Sequence, residues 1–234
     1  MKIIKNEKRI KRYSQVGVLA SLAAFIILAG GMYITFTNLS DPKMGTYSLI
    51  AFVVGFILIQ IGSYLMNKYG GVPRPDEKLD AGLKGLPGDY TIYHSATPAL
   101  HLLVGPAGIW ALLIYRQRGV AVTYKKNRWR ISGGGILQAY LRIFGQEGIG
   151  RPDLEAEGEI KAVRKLLAKN LGEGEIPDVQ AALIFMNDEV DLQVEGAPLP
   201  AMKLKQLKEF IRKKAKEKPL GQTQLAAIKS ALPE

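Results

Sequence analysis

The sequence contains no cysteine, so disulfide bonds, thiolate nucleophiles and cysteine-ligated zinc sites are excluded. It has only two histidines, His94 and His101, too few for a site built mainly from imidazoles, although one histidine could join carboxylates around a metal ion. Charge is almost absent from residues 13–67, where Asp41 and Lys43 are the only charged side chains. Any hydrolytic chemistry would therefore depend on Asp, Glu and Lys, and the chain divides into an apolar part and a charged part.

Two uncharged runs make up the apolar part, residues 15–37 and 46–66. Each matches the roughly 20 residues that a helix needs to cross a bilayer. Tyrosines lie near the ends of the runs, where their amphipathic rings favour the headgroup region. The alternatives are a buried helical hairpin and a cleaved signal peptide, but a signal peptide has an apolar core of only about 7 to 15 residues. The sequence therefore predicts two transmembrane helices with the lipid bilayer as a partner.

The flanking charges predict how these helices are oriented. Residues 1–14 form a basic N-terminal segment, and bases also follow the second run at Lys68, Arg74, Lys78 and Lys84, whereas the connection between the runs carries one acid and one base. The positive-inside rule then places both termini and the globular domain in the cytoplasm, with two spans in the cell membrane. The N-terminal bases could also attract anionic lipid headgroups.

The rest of the chain predicts a globular domain over residues 74–218 and a C-terminal tail with a short helix over residues 219–234. Apolar periodicity, turn residues and strand-forming residues divide the domain into helices and strands. The predicted helices are 76–84, 154–170 and 204–216, and the predicted strands are 90–94, 99–104, 108–115, 120–124, 129–132, 179–186 and 190–194. This order predicts an α/β domain with a mixed sheet flanked by helices.

The amino-acid sequence of this domain resembles that of the nuclease-related domain (NERD) family. The resemblance covers roughly residues 74–213. It is carried by the helix opening Pro75-Asp-Glu77, the strand around Tyr90, the hairpin His101-Leu-Leu-Val-Gly-Pro-Ala-Gly-Ile-Trp110, the Arg118-Gly119 turn before Trp129, Ile184-Phe185 and the closing helix Leu207-Lys-Glu-Phe210. It implies a restriction-endonuclease-like fold and a nuclease-related origin.

The same resemblance implies that the catalytic positions are degenerate. His101 matches the family histidine, but Leu100 stands in the place of the metal-binding aspartate, Leu113 in that of the glutamate and Tyr115 in that of the lysine. Glu77 matches the family's helix glutamate and is the only retained candidate, while Glu155 lies near the position of a family glutamine. A charge at a helix N-terminus is the simpler explanation of Glu77, and a core position hydrogen-bonded to the backbone is the simpler explanation of His101.

The missing residues are those that would perform the chemistry. In such a site two strand carboxylates hold a divalent cation, and the lysine orients water and stabilises charge on phosphate. Residues 95–115 contain no Asp or Glu, so a shift of the register by two residues would not restore them. We therefore expect no metal or cofactor; Mg²⁺ or Mn²⁺ would be needed only by a nuclease with relocated acids, such as Glu77 with Glu155 or Asp153.

The net charge of +11 is concentrated in residues 1–12 and 203–218. A further basic stretch, interleaved with Tyr115, Tyr124 and Trp129, is the best candidate for contact with nucleic acid. It consists of Arg116, Arg118, Lys125, Lys126, Arg128 and Arg130. Its alternative is a sheet edge that charge protects from pairing. The bases of residues 203–218 could face phosphate or anionic lipid, or could form a solvated helix face.

These observations favour a membrane-anchored, catalytically inactive binding or scaffold module with possible affinity for nucleic acid. Two other functions stay open: a metal-dependent nuclease with relocated acids, and a purely structural membrane protein. Cleavage that needs a divalent cation would distinguish the first, and the basic stretch distinguishes the second.

Overall fold

The computed structural model of the chain describes residues 1–38, 41–135, 148–171 and 177–233. The chain forms two compact units. An apolar unit comprises Glu7–Arg74, and a globular unit combines Met1–Asn6 with the described residues from Pro75 onward. The division of the sequence into an apolar and a charged part is thus present in the structure, except that the first six residues belong with the globular unit.

The apolar unit is a pair of antiparallel helices, α1 (Glu7–Thr37) and α2 (Pro42–Tyr69). The side chain of Asp41 accepts a hydrogen bond from the Lys43 amide and caps the start of α2, where Pro42 fits because the first turn leaves its amides without helical partners. Both helices are long and apolar enough to cross a membrane. The two predicted helices are therefore present; α1 begins eight residues before its predicted start and ends at the predicted residue, and α2 extends beyond both of its predicted ends.

Small residues let α1 and α2 approach each other closely. A Cβ atom added to Gly31 would lie 2.8 Å from the Cβ of Ala51, and the Thr35 hydroxyl donates to the Ser48 hydroxyl at 2.6 Å. Large apolar side chains point away from the helix pair instead; Phe25 is 67% exposed and Phe52 59%. Small residues at the interface and large ones outside are typical of helices that pack within lipid.

The globular unit contains nine strands and four helices in its described residues. The helices are α3 (Pro75–Leu83), α4 (Pro152–Leu171), α5 (Leu204–Glu217) and α6 (Gln222–Ser230). The strands are β1 (Lys2–Lys5), β2 (Thr91–His94), β3 (His101–Gly105), β4 (Gly108–Tyr115), β5 (Val120–Lys125), β6 (Arg128–Gly133), β7 (Val179–Phe185), β8 (Asp191–Gln193) and β9 (Ala201–Lys203).

These strands form two sheets, of which the larger is mixed. Its order is β1-β2-β3-β4-β7-β9. The β2–β3 and β3–β4 pairs are antiparallel, and the β1–β2, β4–β7 and β7–β9 pairs are parallel. The β3–β4 turn pairs Gly105 with Gly108, and Gly108 has φ of 104°, a conformation that glycine adopts without strain. The smaller sheet has the order β6-β5-β8. The fold is therefore α/β with a mixed sheet flanked by helices, as the sequence predicts.

Helices cover both faces of the larger sheet. Leu79 and Leu83 of α3 and Leu207 and Ile211 of α5 pack in one buried cluster with the Trp110 face of the sheet. On the opposite face, α4 and α6 pack in a second cluster that also includes Leu113, Tyr115 and residues of the smaller sheet. The strands β3, β4 and β7 are buried almost throughout, which explains why they read as continuous apolar runs.

Strand β1 is the main feature that the sequence analysis did not predict. It treated residues 1–14 as a single basic segment, whereas the structure places Lys2–Lys5 at the edge of the larger sheet, parallel to β2, and starts α1 at Glu7. Ile4 packs against the cluster on the α4 face and Met1 against the one on the α3 face. The strand was not predicted because it has only four residues and lies within a segment whose main feature is its positive charge.

We expect the close approach of α1 and α2 to depend on Gly31 but not on its neighbour Gly30, around which an added Cβ meets nothing within 4 Å. Because the chain has no cysteine, Thr35→Cys/Ser48→Cys introduces its only thiols, and mild oxidation should join them. Adding Gly31→Leu should lower the disulfide yield strongly, while Gly30→Leu should not. Thiols left free after oxidation can be counted with a polymer-linked maleimide, and equal yields in the two variants would contradict the packing.

Candidate functional site: a buried polar network and a basic hairpin

The resemblance aligns three positions of this chain with nuclease catalytic residues, and two of them lie in an apolar interior. Leu113 and Tyr115 are 4% and 8% exposed and belong to the cluster on the α4 face, and Leu100 is half-buried. The Tyr115 hydroxyl donates to Glu155 at 3.2 Å, and its ring stacks on Phe185 with centroids 5.4 Å apart. Burial raises the pKa of the Tyr115 phenol far above its usual range, and the Glu155 carboxylate adds to this. Tyr115 is therefore a neutral donor that cannot replace a lysine charge.

The structure does not bring the candidate relocated acids together. Glu77 is exposed on α3, whereas Asp153 and Glu155 lie in the first turn of α4, and these two helices cover opposite faces of the sheet. Among the described residues, no group of three or more His, Asp or Glu side chains is arranged to hold a metal ion.

A different set of polar side chains converges beside β1, β2, β3 and α3. Lys5 contacts two carboxylates, Asp76 at 2.9 Å and Asp80 at 2.6 Å. The other oxygen of Asp80 lies 2.8 Å from Nε2 of His94. Nδ1 of His94 lies 2.7 Å from Nδ1 of His101. We call this set of five side chains the polar network.

Secondary structure explains why these residues meet. Asp76 and Asp80 are four residues apart on α3, a spacing that places both on one face of a helix. His94 and His101 are directly opposite each other in the antiparallel pair of β2 and β3. Lys5 lies opposite His94 in the parallel pair of β1 and β2. The network thus joins three neighbouring strands to the helix that covers them.

Burial makes the network chemically unusual. His94 is 0% exposed, His101 3% and Asp76 4%, and buried polar groups of this kind need hydrogen-bond partners. Burial alone would raise the pKa of Asp80, but the hydrogen bonds from His94 and Lys5 outweigh it and hold that pKa below its usual range. Burial would lower the pKa of Lys5, but the bonds to Asp80 and Asp76 raise it. Both groups are therefore charged at neutral pH.

His101 occupies a core position, as expected, at 3% exposure, and its ring nitrogen Nδ1 lies 2.7 Å from Nδ1 of His94. The sequence analysis missed Lys5, Asp76, Asp80 and His94. The spacing of Asp76 and Asp80 could have been noticed on a helix whose buried residues are Leu79 and Leu83. The contribution of Lys5 could not have been noticed in the sequence, because it depends on the unpredicted strand β1.

The basic stretch predicted to contact nucleic acid lies mainly on the hairpin of β5 and β6. Its turn contains Lys126 and Asn127 with φ of 53° and 57°, the left-handed values of a two-residue hairpin turn. Trp129 is 8% exposed and Tyr124 packs against the same core cluster. By alternation along the strands, Lys125, Arg128 and Arg130 occupy the opposite, outer face of the hairpin. The aromatic residues are thus on the core side and the bases on the exposed side.

The bases at the hairpin end have no acidic partner in the part of the chain that the structure describes. Lys125, Lys126, Arg128 and Arg130 are all exposed and none forms a salt bridge there. Arg118 differs, because it contacts Glu189 at 2.8 Å. Arg116 is half-buried and lies outside the hairpin strands.

Three bases of residues 203–218 donate hydrogen bonds to backbone carbonyl groups of other elements. Lys208 and Arg212 donate to the carbonyl groups of Lys84 and Gly85, just after the end of α3, and Lys203 donates to the carbonyl of Asp188 at 2.7 Å. Bases that bind carbonyls at a helix C-terminus stabilise it. This gives much of the charge in residues 203–218 a structural role.

No protein-family model, curated protein or solved structure matches this chain.

We expect Asp80→Asn to destabilise the globular unit, because Lys5 and His94 would both lose the charge that they bind. Loss of such charge-assisted hydrogen bonds costs about 2 kcal/mol, whereas Glu209→Gln, a change at an exposed position of α5, should cost about 0.5 kcal/mol or less. Thermal unfolding of the full chain in detergent measures the difference.

The pH dependence of this difference has a defined sign. Asp80 has a lowered pKa in the folded chain, so its contribution is present above the unfolded-state value and is lost as pH falls through the folded-state value. The two variants should therefore differ at neutral pH, and the difference should begin to shrink below about pH 4 and vanish once pH is below the lowered folded-state pKa. Equal melting temperatures at pH 7 would show that the network contributes nothing.

Proposed function

We propose that this chain is a two-span membrane protein whose cytoplasmic domain, similar to NERD domains, binds nucleic acid through the outer face of the β5–β6 hairpin and does not cleave it. The observation that carries the proposal is the group of exposed bases at the hairpin end, which form no salt bridge with any residue that the structure describes. Nucleic-acid phosphates supply the negative charge that this surface lacks.

The arrangement of the bases favours a polyanion. Lys125 and Arg128 are directly opposite each other in the β5–β6 pairing, and Arg130 is opposite the uncharged Thr123. Like charges directly across a strand pair are destabilising, and an anion bound between them removes that cost. A surface that costs the free protein stability but fits a bound phosphate is better explained by binding than by solvation alone.

The location of the aromatic residues determines the kind of binding. Trp129 is on the core side of the hairpin, so it does not offer its face for stacking with bases, and Tyr115 is also buried. Binding would depend on phosphate contacts, which position a protein on a nucleic acid but carry no sequence information. We therefore propose weak sequence preference and strong dependence on salt.

Two features support the absence of cleavage. Leu113 and Tyr115 fill the interior where the resemblance would place a cation and its lysine, and the candidate acids Glu77 and Glu155 lie on helices of opposite sheet faces. Neither arrangement supplies two carboxylates to one divalent cation, which such catalysis requires.

The sheet topology supports two membrane crossings. Strand β1 precedes both apolar helices in the chain and β2 follows them, yet the two strands are hydrogen-bonded in one sheet. Both strands must then lie on the same side of any membrane, which requires an even number of crossings between them. The bases that flank the helices assign that side to the cytoplasm.

The first test is fluorescence anisotropy with single- and double-stranded DNA and RNA over a salt series, using the full chain in uncharged detergent. Lys125→Gln/Arg128→Gln/Arg130→Gln should weaken binding to duplexes at least about tenfold and reduce the salt slope by roughly 2 to 3, because each phosphate contact contributes about 0.9 to the slope.

The matched control is Lys161→Gln/Lys165→Gln/Lys169→Gln, which removes the same charge from exposed positions of α4 and should bind as the wild type does. Equal loss in both triple variants, or no binding by the wild type, would contradict the proposed surface and favour a purely structural membrane protein. Incubation of the same samples with Mg²⁺ or Mn²⁺ tests cleavage, and cation-dependent products would overturn the proposed inactivity.

The second test concerns topology and uses single cysteines in the cysteine-free chain. Lys43→Cys, in the first turn of α2, should react with a membrane-impermeant maleimide in intact cells. Asn127→Cys, at the exposed hairpin turn, should react only after the cells are opened. The reverse pattern would place the globular domain outside the cytoplasm.

A further inference from the structure

Lys5 and His94 share one carboxylate in the polar network. The ammonium of Lys5 lies 2.6 Å from one oxygen of Asp80, and Nε2 of His94 lies 2.8 Å from the other. A carboxylate has no proton to give at neutral pH, so Nε2 of His94 carries the hydrogen of this bond. The opposite nitrogen of the same ring, Nδ1, faces Nδ1 of His101 at 2.7 Å.

The short distance between the two Nδ1 atoms requires one proton between them. If His101 supplies it, both rings are neutral. If His94 supplies it, the His94 ring is protonated at both nitrogens and is positively charged, while neutral His101 accepts at Nδ1 and carries its own hydrogen on Nε2. The pair can therefore take up one proton without moving its heavy atoms. Imidazole is the side chain whose charge ordinarily changes between about pH 5 and 8.

A proton on His94 would act directly on Lys5. The charged groups that face the pair from the surrounding elements, within the described chain, are Lys5 of β1 and Asp76 and Asp80 of α3. With neutral rings, the ammonium of Lys5 is the cation that contacts both of these carboxylates. A proton on His94 adds a second cation that competes for Asp80 and repels Lys5 in a site of low solvent access.

Lys5 is also a main anchor of β1. This strand has four residues and lies at the sheet edge. Its backbone is held near the network because the Asn6 amide donates to the carbonyl of His94 at 3.0 Å. Its last residue, Lys5, is separated from the first residue of α1 by Asn6 alone.

We propose that the His94–His101 pair is a proton-operated release for strand β1, in which uptake of one proton weakens the hold of Asp80 on Lys5 and favours detachment of β1 from the edge of β2. Coupling between binding events is reciprocal. If a proton weakens the docking of Lys5, then removal of Lys5 must strengthen the binding of the proton.

Reciprocity gives two substitutions with opposite effects. The chain has only two histidines, so incorporation of ¹⁵N-histidine into the full chain in detergent gives NMR signals from this pair alone. Lys5→Met should move the midpoint of the imidazole titration to higher pH by about one unit or more, and Asp80→Asn should move it to lower pH by a similar amount. A network that is only structural would move in neither direction.

The release itself is measured by hydrogen exchange of residues 2–6, taken relative to the amides of β4 so that the intrinsic effect of pH cancels. From pH 8 to pH 5.5, relative exchange in the wild type should rise by up to about tenfold, the factor that matches one unit of coupling. His94→Gln keeps a side-chain N–H for Asp80 but cannot be protonated, so its relative exchange should not change with pH.

Wild-type imidazole signals that do not titrate between pH 5 and 8 would overturn the proposal, even if the variants failed to fold. Relative exchange of residues 2–6 that is the same at both pH values would also overturn it. Neither measurement depends on binding of nucleic acid.

Discussion

The pairing of β1 with β2 is the constraint on which the other parts of this protein depend. It places the N-terminus in the sheet of a domain whose remaining sequence begins after both apolar helices. Lys5 then connects β1 to α3, the helix that follows the apolar segment, through two carboxylates. The two parts of the chain that flank the apolar helices are therefore joined by backbone and side-chain hydrogen bonds. Without this pairing, Asp76 and Asp80 would lose the ammonium of Lys5, and removal of one partner from an ion pair of low solvent access is costly.

The two faces of the larger sheet have opposite chemical character near their centre. On the α4 face, Leu113, Tyr115 and Phe185 form an apolar interior in which the hydroxyl of Tyr115 reaches one carboxylate. On the α3 side, the buried polar groups of the network bind one another. A sheet of this kind can have an apolar interior on one face and a polar network on the other, because each face packs against its own helices.

Local pattern accounts for most of the fold. The apolar runs predicted both long helices. The Gly-Pro-Ala-Gly turn and its flanking apolar residues predicted β3 and β4 with nearly correct bounds. The pattern failed where pairing is distant in sequence or where an element is very short. Lys2 pairs with Thr91, β9 has three residues, and the separation of β5 and β6 into a second sheet depends on contacts with β8.

The candidate sites were predictable to different degrees for the same reason. The basic hairpin is local, so its bases could be identified, although only the register showed that Trp129 faces the core. The polar network combines side chains from four elements, and no spacing in the sequence joins Lys5 to His94. The resemblance to NERD domains, and the inactivity and nucleic-acid binding inferred with it, stay predictions.

The position of β1 also has a consequence for biosynthesis. Synthesis of the chain produces β1 before both apolar helices, and β2 only after them, so the edge strand has no partner in the sheet until β2 has been made. The larger sheet can close only after both helices have left the ribosome. Pairing of β1 with β2 is therefore a late event of biosynthesis, although β1 is made early.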